Sequence, residues 1–378
     1  MSRWVKSRLG DVADLCLGKM LDEQKNKGEL LPYLANVNVR WGVFDFENLR
    51  QMRFAHNEMD RYGLRLGDIV MCEGGEPGRC AIWRESVPGM MIQKALHRIR
   101  PKSELDHRYL FYFFLHTGFT GGFAPLFTGA TIKHLPKQSL EKLEIVYPTL
   151  GQQKRVADIL STYDDLIENN RRRMALLEES ARLLYREWFV RLRFPGCEHT
   201  LILDGVPQGW ERVPLEAALV LQRGFDLPTQ DRHEGDVPIY GSTGILGYHD
   251  KAKAIAPGVV TGRSGTLGEV QYVAEDYWPL NTALWVKEFK RVTPLFALFL
   301  LREMDLKQFN GGASVPTLDR KSVHRVEILI PAAPLLRSFD EFASDVFVQI
   351  KNLTTQNQKL RVARDLLLPR LMSGELTV

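Results

Sequence analysis

The stretch "GATIKHLPKQSLEKLEIVYP", Gly129 to Pro148, returns in altered form as "GASVPTLDRKSVHRVEILIP", Gly312 to Pro331. At a shift of 183 the two share Gly, Ala, Leu, Ser, Glu, Ile and Pro, and most other positions exchange like for like. A repeat decides architecture before local propensity does, and this one runs the length of the chain. Trp4, Leu9, Leu15, Gly18 and Pro32 match Trp210, Leu215, Leu221, Gly224 and Pro238 at a shift of 206. "DIVMCEGGEPG" (Asp68 to Gly78) matches "GVVTGRSGTLG" (Gly258 to Gly268) at 190. "QKAL" (Gln93 to Leu96) matches "NTAL" (Asn281 to Leu284) at 188. The shift only falls, so the second half is the first with 23 residues of loop removed (206 − 183). The chain is an internal duplication.

Each copy has two parts. The first mixes short β-rich runs with Gly and Pro punctuation; "GDIVM" and "GVVTG" read as strands entering glycine loops. "YLFYFFLH" and "LFALFLLREM" read as buried helix, from their length and leucine content. The second part is a long amphipathic helix. Its apolar stripe runs Val156, Leu160, Tyr163, Ile167, Asn170, Met174, Leu177, Ala181, Leu184, Trp188. The second copy gives Phe339, Ala343, Val346, Ile350, Leu353, Asn357, Leu360, Arg364, Leu367, Leu371. Steps alternate four and three, which is the seam of a coiled coil. Helices of this length, roughly 50 Å at ~1.5 Å per residue, must bury their stripes on each other or on a partner.

Asn170 falls at a d position and Asn357 at an a position, and a faces d in an antiparallel pair. Facing these two amides fixes the residue sum at 527 and puts the pseudo-twofold at residue 172, (527 − 183)/2, the midpoint of Val156 and Trp188. The spacing therefore predicts an antiparallel coiled coil with Ile167, Met174 and Leu177 packing in register with Ile350, Leu353 and Leu360. The alternative is two solvent-facing asparagines at accidental heptad positions. Pro369 should weaken the last layer. The expected fold is α+β: two similar globules separated by two long helices. Its parts are residues 1–148, 149–196, 197–331 and 332–378.

Composition narrows the class. The chain has 378 residues, 44% hydrophobic and 25% charged, as expected of a soluble globular protein. The start has no apolar leader and no run approaches a bilayer span. The four cysteines, Cys16, Cys72, Cys80 and Cys197, show neither C-x-x-C nor metal-ligand spacing, which suits free thiols in the cytoplasm. Net charge is only +4, so a nucleic-acid reader would have to gather its cations on one face. There is no P-loop, no dinucleotide fingerprint, no H-E-x-x-H and no amino-methyltransferase motif. Asp276 with Glu288 and Lys290 imitates a nuclease triplet, but the other copy reads Arg100 and Lys102 there. A non-catalytic binder built twice on a rigid frame fits, and DNA, whose major-groove faces recur every ~34 Å, suits two readers.

"LSTYDDLIENNRRRMALLEESARLLYREWFVRLRFPG" (Leu160 to Gly196) resembles the central helix of the specificity subunits of type I restriction–modification enzymes. "VPQGWE" (Val206 to Glu211) is similar to the opening of their second target-recognition domain, and "LLLPRLMSGEL" (Leu366 to Leu376) to their C-terminus. The resemblance implies that each globule reads one half of a split, asymmetric site in double-stranded DNA. It implies that the paired helices set the gap and dock two modification subunits, which bind S-adenosylmethionine and methylate adenine, with restriction subunits joining them. The chain itself would bind no cofactor and catalyse nothing.

Residue choices rest on chemistry, because base edges are read by Arg, Lys, Asn, Gln, Ser and Thr. Asn36, Asn38 and Arg40 alternate in "NVNVRWG" and would share one face of a strand. Their counterparts are Ser242, Thr243 and Tyr248. The glycine loops offer Glu73, Glu76 and Arg79 against Arg263, Ser264 and Thr266. The opening stretches add Lys133, His134 and Lys137 against Arg320 and Lys321. Arg40 and Arg263 lead, since bidentate arginine on guanine is the commonest specific contact. Arg171, Arg172 and Arg173 beside the dyad read either as a solvated helix face or as a contact to phosphate or an acidic partner surface.

Overall fold

The structure, a computed structural model, describes residues 4–22, 26–312 and 314–378. Ala313, matched to Ala130 in the repeat, lies outside them. The chain divides into two units, residues 1–169 with 356–378, and residues 170–355.

The first unit contains β1 (Val5–Arg8), β2 (Ala13–Leu17), β3 (Glu29–Leu34), β4 (Arg50–Phe54), β5 (Ile69–Cys72), β6 (Cys80–Ile82), β7 (Met91–Ile92) and β8 (Leu96–Pro101). Helix α1 (His107–Phe119), β9 (Glu144–Tyr147) and the start of the long helix α2 (Leu150–Tyr185) follow. The second unit contains β10 (Glu211–Pro214), β11 (Leu219–Arg223), β12 (Val237–Gly241), β13 (Gly244–His249), β14 (Gly258–Gly262), β15 (Val270–Val273), β16 (Trp278–Pro279) and β17 (Ala283–Phe289). Then come α3 (Pro294–Glu303), β18 (Glu327–Ile330) and the long helix α4 (Ala333–Met372).

The duplication holds for the three larger strand groupings of each unit. The first unit has a four-stranded sheet β2-β8-β5-β6, a pair β1-β9 and a three-stranded sheet β4-β3-β7. The second has β11-β17-β14-β15, β10-β18 and β13-β12-β16, the same strands in the same places. Even the single parallel pairing in each three-stranded sheet recurs, β3 with β7 and β12 with β16. The central strands β5 and β14 are buried throughout, which is why they read as unbroken apolar or small runs. The aromatic-rich stretches are helices, α1 capped by the Asp106 carboxylate on two backbone amides and α3 by the Thr293 hydroxyl with Pro294 in its first turn.

The two long helices pair antiparallel in each unit. In the first, Asp164 meets Arg364, and Asn357 Nδ2 donates to the Ile167 carbonyl at 3.2 Å. In the second, the Thr354 hydroxyl donates to Met174 Sδ at 3.3 Å, and the Tyr185 and Phe339 rings meet edge-on at 5.8 Å. Numbers rise along one helix as they fall along the other, with residue sums of 528 and 524 in both units. The expected 527 lies between them. Asn170 and Asn357 are both buried, at 7% and 4% exposure. Ile167 and Leu353 are buried too, while Met174, Leu177, Ile350 and Leu360 are half-buried.

Two details depart from the heptad reading. The helix ends in a π turn at Arg186–Val190, and Tyr185 and Phe189 are more deeply buried than Leu184 and Trp188. Pro369 leaves the last layer intact: α4 continues past it, and Leu368 and Leu371 are 1% and 3% exposed. The proline sits on the solvent side, where water can satisfy the carbonyl it strands.

Arg364 explains why a cation occupies a seam position. In the first unit it pairs with Asp164, and the Tyr112 hydroxyl of α1 donates to the other Asp164 oxygen at 2.6 Å. At a shift of 183 the second unit has Ala181 and Phe347 instead, inside an aromatic core with Phe299 and Phe339. One unit is bolted by charge, the other by rings. Side-chain exposure of the pair is 15% and 22%, so removing one partner strands a desolvated charge. Arg364→Met is expected to lower stability by about 3 kcal/mol, measured by urea denaturation; a change under ~1 kcal/mol would mean the pair is screened by water.

Candidate nucleic-acid interface

Each unit knits its glycine loop to the repeated stretch with the same backbone bonds. In the first, Leu135 N donates to Glu73 O at 2.8 Å, Thr128 N to His134 O at 2.9 Å and Cys72 N to Arg79 O at 2.8 Å. In the second, Leu318 N donates to Arg263 O at 2.8 Å, Gly311 N to Thr317 O at 2.8 Å and Gly262 N to Glu269 O at 3.3 Å. Gly74 bridges His134 as Ser264 bridges Thr317. Every one of these bonds obeys the shifts 190 and 183. The repeated text is therefore the frame that closes one loop against another.

Glycine is required where this frame is tightest. A Cβ on Gly129 would lie 2.2 Å from the Ile132 carbonyl oxygen, and one on Gly312 would lie 2.0 Å from that of Val315. Gly78 and Gly268, matched at 190, both hold φ near +90° (93° and 91°), a region side chains resist.

In the first unit the segment Asn36–Asn38 is a 3₁₀ turn, and only Val39–Arg40 is strand. The expectation of three side chains on one strand face is thus corrected. Asn38 is buried and staples its own loop, accepting from Ala35 N at 2.9 Å and donating to Asp45 O at 3.0 Å. Its amide satisfies backbone groups that a strand would have satisfied in a ladder. Arg79 is likewise buried: it donates to Asn36 O at 3.0 Å and to Glu76 Oε2 at 2.6 Å. Arg40 is exposed, 4.0 Å from Asp45. Lys133 lies over the Phe127 ring, and Lys137 pairs with Glu141 within its own helix at 3.2 Å. His134 Nδ1 lies 3.2 Å from the Glu73 carboxylate. Behind this loop, the fully buried His97 holds Leu135 O at 2.8 Å through Nε2, and burial pushes its pKa below the usual imidazole value.

The second unit gathers its cations. Arg223, Arg263, Arg320 and Lys321 line one shallow groove of about 290 Å³ with Leu284, Leu318 and Asp319. Arg263 is half-buried and donates to Asn281 O at 3.1 Å; Arg320 donates to Leu221 O at 3.3 Å. Asp319 caps the helix Arg320–His324, and the Ser322 hydroxyl and Lys321 amide hold its carboxyl below the usual range. Ser242 is brought against Gly262, Ser264 is bridged into the frame, and Thr266 and Thr243 are exposed on neighbouring turns. Tyr248 sits opposite Pro238, at the far end of its hairpin from the Ser242–Thr243 turn. Arg223 escaped the sequence reading. Its signal was present: an arginine where the first copy has Leu17, at a shift of 206.

Among the described residues no group of His, Cys, Asp or Glu could hold a metal ion, and no helix is long and apolar enough to cross a membrane.

Residues 1–179 match the family described as the type I restriction modification DNA specificity domain. The chain is 25% identical to the specificity subunit of the type I restriction enzyme MjaIX of Methanocaldococcus jannaschii, over 82% of this chain and 78% of that one. It is 25% identical to that of MjaVIII from the same organism, over 58% and 50%. The crystal structure of the type I restriction–modification system S subunit from M. genitalium superposes with a TM-score of 0.56. That match covers 98% of this chain and 96% of that one at 18% identity, a likeness of fold.

The frame makes a two-sided prediction for glycine. Gly129→Ala should destabilise the first unit by at least ~1 kcal/mol, because the new methyl meets backbone. Gly151→Ala, with nothing within 4 Å in the first turn of α2, should stabilise it by up to ~1 kcal/mol. Thermal unfolding of both variants checks the pair; equal shifts would refute the assignment.

Proposed function

Because the chain belongs to the family of type I restriction–modification DNA specificity subunits, we propose that each unit reads one half of a split, asymmetric DNA site. The observation that carries this reading is the shared frame with unlike chemistry on it. Two loops closed by the same bonds carry Glu73, Glu76 and Arg79 in one unit and Arg263, Thr266 and Glu269 in the other. Charge is reversed at two matched positions, Glu73 to Arg263 and Arg79 to Glu269, which suits two different half-sites.

In the second unit, Arg263 and Arg320 are the base-reading cations, with Ser242, Thr243, Ser264 and Thr266 as nearby polar groups. Lys321 and Arg223 hold phosphate, the role of exposed cations at a groove. In the first unit, Arg40, Asn36 and Lys133 face the duplex, with Lys137 on the phosphate side. Asn38 and Arg79 act behind them by fixing the loops. Tyr248 stands apart and contributes at most a backbone-side contact.

The long helices set the number of unread base pairs and dock the modification subunits. Apolar side chains off the seam support docking: Leu166, Val362 and Leu366 in the first unit and Leu176, Leu183 and Val348 in the second are 46–71% exposed. Methyl transfer from S-adenosylmethionine belongs, in this reading, to the modification subunits, and cleavage to the restriction subunits. This chain supplies recognition in the cytoplasm and no catalytic step.

Three measurements on the chain with its modification partner test the reading. Lys321→Ala should weaken binding to all duplexes and reduce the slope of log affinity against log salt by about 1. Arg263→Ala should instead relax one half-site by ~1–3 kcal/mol per base pair discriminated and leave the other half intact, read by mapping methylated adenines. Loss spread evenly over both halves would overturn base reading by Arg263. Adding seven residues to each long helix should lengthen the tolerated gap alone; an unchanged gap would show that the helices are no ruler.

A further inference from the structure

We infer that Glu76 is a base-reading acceptor of the first unit, held in place by Arg79 and directed at the exocyclic amino group of a cytosine. The inference rests on the DNA-reading role proposed above and adds to it a residue, a base and a positioning device.

Arg79 sits in the loop "EGGEPGR" (Glu73 to Arg79) yet is only 9% exposed. A guanidinium is always charged and resists leaving water. Here one nitrogen is used on Asn36 O and one on Glu76 Oε2, and Nε is buried with no partner. Such an arrangement is wasteful as mere packing. Its product is a carboxylate whose side chain is 67% exposed and whose position is fixed from behind. Oε1 of Glu76 makes no hydrogen bond among the described residues.

The surroundings fit a groove-facing acceptor. Gly75 holds φ +81°, and its Cα side lies against the Asn36 amide, where a Cβ would be 2.7 Å away. Gly74 is bridged to His134, next to exposed Lys133. The loop therefore lies between segments carrying Arg40 and Lys133. Exposed cations there suit either guanine or phosphate, but an exposed anion repels phosphate, since duplex DNA carries one charge per ~1.7 Å. A carboxylate is useful only where a donor compensates it. In the major groove the cytosine amino group is such a donor, and it is the usual partner of Glu. The matched position in the second unit is Thr266, beside Arg263 rather than over a buried arginine. The acceptor is particular to the first half-site.

The experiment expresses the full chain with its modification partner and reads the sequence around every methylated adenine in host DNA. The wild-type half-site that is insensitive to Arg263→Ala should contain a fixed cytosine. Glu76→Gln, a change on an exposed side chain that keeps the fold, should lower the preference for that cytosine about 10-fold. A shift toward adenine, which a glutamine amide pairs with, counts equally in favour. Arg79→Met should blunt the same base, and Arg79→Lys should restore part of the preference. If Glu76→Gln leaves every base preference unchanged, or weakens all positions together, Glu76 is not a reader. Wild-type methylation without any two-part context would instead overturn the underlying reading, and so is told apart from failure of this inference.

Discussion

Antiparallel burial of the two helical stripes is the constraint on which the structure depends. Neither α2 nor α4 can cover its apolar face alone, and each unit is closed only when a segment of one helix finds a segment of the other. In the first unit this joins Val156 and Leu160 to the same core as Leu368 and Leu371. In the second it joins Ala181 and Tyr185 to the same core as Phe339 and Ala343. The recognition loops stand on sheets packed on these cores and on smaller clusters beside them, such as those of Leu34, Val39 and Cys72 in the first unit and of Tyr240 and Val260 in the second.

The architecture was legible because duplication leaves a quantitative trace. Falling shifts located the loops that could shorten, and alternating steps of three and four located the seam. The residue sum followed from placing two buried amides in facing layers. Local polar residues were harder to read. Asn38 and Arg79 have the composition of base readers, and only three-dimensional closure reveals that their hydrogen-bonding groups are already committed to Ala35, Asp45, Asn36 and Glu76. Polar side chains in turns compete for the backbone of their own loop, and sequence does not say which side wins. Arg223 shows the opposite failure: a cation at a strand end was passed over because it stood outside any loop motif.

The two units also differ in how they secure the same joint. Charge and a buried tyrosine hydroxyl lock one, through Tyr112, Asp164 and Arg364. Aromatic packing locks the other, through Phe299, Phe339 and Phe347. Polar partners punish mispairing more severely than apolar ones, because an unmatched buried charge has no substitute. A helix segment built for one unit is thus a poor guest in the other.

The partition of the chain has a consequence for biosynthesis. Residues 170–355 form one uninterrupted span, whereas the other unit is assembled from a leading piece and a trailing piece, 1–169 and 356–378. On the ribosome, the later-encoded body can therefore finish first. The earlier one must wait, with the surface around Val156 and Leu160 uncovered, until translation delivers Leu368 and Leu371. Nascent chains stalled just before that point would expose apolar area that chaperones are suited to shield.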